Sequence, residues 1–140
     1  MNDTGPDLIA SYFTIAGDLL PHEPPLVSPV PLEDRIAAAE RAGFAGMGFN
    51  FDDAAASREH HGDARLRAML RDAGMRWIEL EALIDWFADG ERRARSDAQR
   101  RVALDQARAL GAFQIKVAGD LQGDWPLDQM AEAFADLCDE

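Results

Sequence analysis

A single cysteine, Cys138, leaves no partner for an internal disulfide, so this 140-residue chain must hold its fold by packing and hydrogen bonding. Long apolar runs are also missing. None approaches the roughly 18 residues that a membrane-spanning helix requires, so no membrane partner is expected. The opening Met1-Asn2-Asp3-Thr4-Gly5-Pro6-Asp7 lacks the basic start of a secretory signal, and with the lone cysteine this makes a cytoplasmic location the expectation. Positive charge is scarce: 14 Lys and Arg face 26 Asp and Glu, for a net charge of −12. Such a surface repels phosphate backbones, so no nucleic-acid partner is expected. There is no phosphate loop, no dinucleotide glycine fingerprint after a strand and no nucleophile elbow. The three histidines do not fall into a spaced metal-ligand set. His60 and His61 read as solvated loop residues, and His22 as part of a proline loop. The length suits one domain, but a complete eight-fold (β/α) barrel needs about 250 residues.

What the chain does contain is a repeated joint. Glu40-Arg41-Ala42-Gly43-Phe44, Arg71-Asp72-Ala73-Gly74-Met75 and Arg108-Ala109-Leu110-Gly111-Ala112-Phe113 each end a charged amphipathic stretch with a glycine and enter an apolar run. The glycines lie 31 and 37 residues apart, which is the size of a strand-plus-helix unit. Glycine just past a helix takes a left-handed conformation without a Cβ penalty. The repetition predicts four consecutive βα units with parallel strands, an α/β fold, over residues 1–140.

The strands are expected at Ile9–Ile15, Gly46–Phe51, Arg76–Leu83 and Phe113–Ala118. Between the first strand and the first helix, five prolines in eleven residues (Pro21, Pro24, Pro25, Pro29, Pro31) predict a loop over the strand ends. Helices are expected at about Leu32–Ala42, from Asp63, from Ser96 with Gln99 as a capping box, and from Pro126. The third buries Ala103, Leu104, Ala107 and Leu110. The fourth buries Met130, Phe134, Leu137 and Cys138 on one stripe. Asp52 and Asp53 divide between capping and a site. Trp86 and Phe87 either stack on a sugar ring or seal the barrel top.

Strands in a parallel sheet covered by helices are usually apolar on both faces. Here Glu79 and Glu81 share one face of the third strand, and Gln114 and Lys116 one face of the fourth. Asn50 faces the same way from the second strand, with Tyr12 and Thr14 from the first. The polar side then lines the interior of a curved sheet, with Thr14, Asn50, Glu81 and Lys116 on four adjacent strands. A glutamate and a lysine on neighbouring strands can satisfy each other as an ion pair, and the same residues can form a substrate wall. Both readings stand.

Thr14-Ile15-Ala16-Gly17-Asp18, Ser28-Pro29 and Asp34–Phe44 resemble the opening of the sugar phosphate isomerase/epimerase family, within the xylose isomerase-like TIM barrel superfamily. Glu79–Phe87 and Leu110–Val117 are similar to later stretches of it. The resemblance implies a (β/α)8 TIM barrel of which this chain is the N-terminal half. It also implies a divalent metal (Mn, Mg or Zn), and isomerisation or epimerisation of a sugar by proton transfer through an enediolate. The family's metal ligands lie on strands five to eight, so none is carried over and the isolated chain is expected to be inactive. Asn50, Glu81, Lys116 and Asp18 remain as substrate-binding candidates for a sugar or polyol. A dehydratase or lyase of the same superfamily is an alternative. So is a non-catalytic half-barrel that binds or assembles, including association of two copies through the open side. A DNA-repair nuclease of the superfamily fits the net charge least.

Overall fold

A computed structural model describes residues 5–139; Met1–Thr4, part of the acidic start, and Glu140 lie outside the described residues. The chain alternates strands and helices. In order these are β1 (Ile9–Ala10), α1 (Tyr12–Ile15), α2 (Leu32–Arg41), β2 (Gly46–Asn50), α3 (Phe51–His61), α4 (Asp63–Asp72), β3 (Trp77–Leu83), α5 (Gly90–Leu110), β4 (Gln114–Val117) and α6 (Leu127–Cys138). The four strands form one all-parallel sheet in the order β1-β2-β3-β4. Each strand thus pairs with its neighbour in sequence, the arrangement of one half of a (β/α)8 barrel.

The repeated joint is built alike each time. Gly43, Gly74 and Gly111 have φ of +80°, +72° and +70°. The following residue returns a backbone bond to the last turn: Phe44 to Ala39 at 3.0 Å, Met75 to Leu70 at 2.9 Å, and Ala112 to Ala107 at 2.9 Å. These bonds satisfy helix carbonyls that would otherwise lack partners and aim the chain into the next strand.

One face of the sheet carries the core. Ala10, Met47, Phe49, Ile78 and Leu80 point into it and pack on Leu32, Ile36, Leu66, Leu70, Ala103 and Leu110 of the helices. Met47, Phe49 and Leu80 are fully buried. Burying a side chain of this size contributes about 1.5–3 kcal/mol.

Several expected boundaries shift. β1 stops at Ala10, because the Tyr12 N–H goes to the Glu81 carboxylate and not to the sheet ladder. The stretch after β2 is a helix. Asn50 Oδ1 accepts from the Asp52 N–H at 3.0 Å and starts α3. His60 and His61 therefore lie on a helix and not a loop, and the His61 side chain is only 6% exposed, 3.8 Å from Glu33. Gly62, not Asp63, caps α4, while Asp63 pairs with Arg58 at 2.7 Å. α5 begins at Gly90, well before Ser96, whose hydroxyl instead donates to the Ile84 carbonyl. Leu104 is exposed, although Ala103 and Leu110 are buried as expected. α6 has no fully buried residue: Met130 and Leu137 of the expected stripe are half-buried against the core, whereas Phe134 and Cys138 are exposed.

The proline loop is fastened down by carboxylates at the start of α3. Asp52 accepts from the Leu26 N–H, and Asp53 from the Ser28 N–H. Asp53 also makes a two-pronged ion pair with Arg35 of α2, at 2.9 and 3.1 Å, with both side chains buried. Both aspartates thus hold structure. Among the described residues no helix is long and apolar enough to cross a membrane.

Removing one partner of a buried pair strands the other charge, at about 3–5 kcal/mol. Arg35→Ala and Asp53→Ala should each lower stability by about that amount, while Arg35→Met/Asp53→Leu together should cost less than either alone. Urea unfolding of the three variants checks this, and a double variant worse than both singles overturns it.

Candidate functional site

The other face of the sheet carries the polar side chains, stacked in layers along the strands. At the N-terminal end Trp77 packs edge-on against Phe113, with ring centroids 5.2 Å apart, and its Nε1 donates to Asp7 at 2.7 Å. The next layer holds Glu79, 2% exposed, whose Oε2 accepts from Gln114 Nε2 at 2.6 Å. The layer nearest the C-terminal strand ends holds Glu81, 7% exposed.

Lys116 on β4 joins the last two layers. Its Nζ lies 2.6 Å from Glu79 Oε1 and 3.0 Å from Glu81 Oε2. The Ser11 hydroxyl stands 3.1 and 3.2 Å from the two oxygens of Glu81 and 3.4 Å from Lys116 Nζ. The Tyr12 N–H donates to Glu81 as well. The lysine side chain is 37% exposed, so it alone of the three charges reaches open space. Burial works against its ammonium, but hydrogen bonds to Glu79 and Glu81 outweigh that and hold its pKa above the ordinary 10.5.

Room for two carboxylates comes from β2. Gly48 pairs in register with Glu79. A Cβ on it would stand 3.0 Å from a Glu81 oxygen, 3.1 Å from a Glu79 oxygen and 2.9 Å from the Tyr12 nitrogen. The absent side chain at Gly48 is thus part of the site.

Of the expected site residues, the structure brings Glu81, Lys116 and Asn50 together. Asn50 is committed on both sides: Oδ1 caps α3, and Nδ2 donates to the Glu81 carbonyl at 3.1 Å. Asp18 lies exposed on the proline loop, and no hydrogen bond or ion pair among the described residues links it to the others. Thr14 and Tyr12 leave the wall, because β1 ends before them. Thr14 is exposed on α1. Tyr12 is buried with its hydroxyl on the Leu26 carbonyl at 2.7 Å. Burial, with Asp53 nearby, pushes that phenol well above its usual range. Ser11 takes their place. Alternation from the buried Ala10 would have put Ser11 inward, but the aromatic run after it suggested a longer strand.

Above the strand ends, Trp86 and Phe87 are buried and pack on each other, on Phe134 and on Trp125. Trp86 Nε1 donates to the Ala118 carbonyl at 2.7 Å. These rings seal the loops after β3 and β4.

Among the described residues no three His, Cys, Asp or Glu side chains are grouped to hold one metal ion. The two inner glutamates already share the Lys116 ammonium. A divalent cation therefore does not fit the residues of this wall. The chain matches no known family model and no curated protein.

Two outcomes follow. Gly48→Ala should cost about 1–3 kcal/mol by crowding buried carboxylates and a backbone nitrogen, read as a lower urea midpoint; an unchanged midpoint counts against the tight fit. A group whose pKa is raised by folding stabilises fully below its unfolded value and loses that contribution as pH rises through the folded value. Unfolding free energy should therefore fall as pH climbs above 10.5, and Lys116→Met should flatten that fall. Identical alkaline slopes in the two proteins contradict the assignment.

Proposed function

We propose that this chain is the substrate-holding half of a (β/α)8 enzyme that transfers a proton beside the carbonyl of a sugar or sugar phosphate, an isomerase or epimerase like the family it resembles. The observation that supports this most is one partly exposed ammonium, with a serine hydroxyl beside it, at the C-terminal ends of parallel strands, where such folds bind ligands. Two N–H groups of Lys116 serve the glutamates, and the third makes only a long 3.4 Å contact to Ser11 Oγ that a ligand oxygen can replace. Ser11 Oγ can accept from a ligand hydroxyl while it donates to Glu81. The second N–H of Asn50 Nδ2 and the Asp18 carboxylate complete the proposed contacts.

Mn²⁺, Mg²⁺ or Zn²⁺ belongs to this proposal only with ligands from outside residues 5–139, since Lys116 fills the space between the inner glutamates. The chain by itself is then a binder without turnover. Dehydration or lyase chemistry begins with the same proton abstraction and would use the same wall. A second reading, a half-barrel that associates with another copy, is favoured by the outer edges of β1 and β4, which no strand pairs with among the described residues, and by exposed Leu8 and Phe113.

Titrating ¹⁵N-labelled protein with a panel of aldoses, ketoses and their phosphates should shift the amide signals of Ser11, Glu81 and Lys116, and Lys116→Met should remove those shifts. No shift with any of the panel overturns the reading. Turnover by the purified chain with Mn²⁺, abolished by a chelator, would overturn its status as a half-site. A native mass of two chains would instead favour the associating half-barrel.

A further inference from the structure

Lys116 is the only lysine in the sequence; every other fixed side-chain cation is arginine. The two residue types do different work. Guanidinium is a broad planar fork, whereas ammonium is a compact point charge with three donors. Elsewhere in the fold arginine makes the ion pairs, as in Arg35 with Asp53 and Arg92 with Asp85. The one ammonium stands between two nearly buried carboxylates, 2.6 Å from one and 3.0 Å from the other. Gln114 and Ser11 supply further polar atoms to the same two carboxylates. A compact cation between two carboxylates, with neutral oxygen and nitrogen groups around it, is the charge arrangement of a small metal site, filled here by a side chain.

We infer that Lys116 is a tethered cation, occupying the position between Glu79 and Glu81 that a divalent ion would otherwise take, and so keeping this half of the barrel from binding one. Two buried carboxylates without a counter-ion would repel each other and lose solvation. The ammonium removes that penalty with no dependence on metal supply. The inference does not rest on the proposed activity, since it concerns only which cation the wall holds.

The single lysine makes the test direct. Protein labelled at lysine Cε and Nζ gives one lysine side-chain signal. On adding Mn²⁺ to the wild type, paramagnetic broadening should stay on the acidic outer surface. The Lys116 signal and the amides of Gly48, Glu79 and Glu81 should remain sharp. In Lys116→Met the vacated pair should take the ion. Those three amides should broaden, with apparent Mn²⁺ affinity at this wall up by about tenfold or more and with a rise in melting temperature on adding the ion. A variant that folds only when Mn²⁺ is present supports the inference equally. Broadening of Gly48, Glu79 and Glu81 in the wild type overturns it, and that arm needs no variant to fold. A folded Lys116→Met whose wall ignores Mn²⁺ overturns it too.

Discussion

The Glu81 side chain is where three of the four strands meet. Its carboxylate takes the Tyr12 N–H and Ser11 hydroxyl at the end of β1 and the Lys116 ammonium from β4, while its backbone carbonyl takes the amide of Asn50 at the end of β2. A buried carboxylate needs this many donors, because each lone pair left bare in low dielectric is costly. Satisfying it fixes where β1 ends, how β2 hands over to α3, and which way Lys116 points. The polar wall is thus a structural bracket and a chemical surface at once, and the two roles use the same bonds.

A second buried charge pair, Arg35 with Asp53, does separate work on the helix side of the sheet. It ties α2 to the start of α3, and the same aspartate holds the proline loop through Ser28. The scaffold meets the wall at two residues: Tyr12, whose N–H goes to Glu81 and whose hydroxyl goes to the Leu26 carbonyl of the loop, and Asn50, which bonds both Glu81 and the start of α3. Helix α6 shows no such ion pair among the described residues, and its apolar side is only half covered: Met130, Ala133 and Leu137 pack on the core and Phe134 on Trp86, while Leu127 stays exposed.

Much of this was legible in the sequence. The glycine joints gave the number, order and direction of the units, because a left-handed residue after a helix leaves a local mark that no tertiary contact has to supply. The period-two split of Glu79, Glu81, Gln114 and Lys116 gave the polar face. What the sequence hides depends on contacts distant along the chain. β1 looked longer because Tyr12, Phe13 and Ile15 suit a strand, yet its end is decided by Glu81. The stretch Phe51–His61 has its apolar residues scattered round the helix, so periodicity could not reveal it, and the start depends on Asn50 turning its amide to the backbone. Asp18 follows α1 and not the end of a strand, since β1 closes at Ala10. Gly48 carries no local mark of its role, since a missing side chain matters only where the two carboxylates lie over it.

The sheet order has a temporal side. Because every strand pairs with its sequence neighbour, the pairing can be laid down one unit at a time as the chain lengthens, with each loop closure short. The bracket breaks that locality. Ser11 is 70 residues from Glu81 and 105 from Lys116. The bonds of Ser11 and Tyr12 are thus complete only when the third strand is present, and the wall is charge-balanced only when the fourth is.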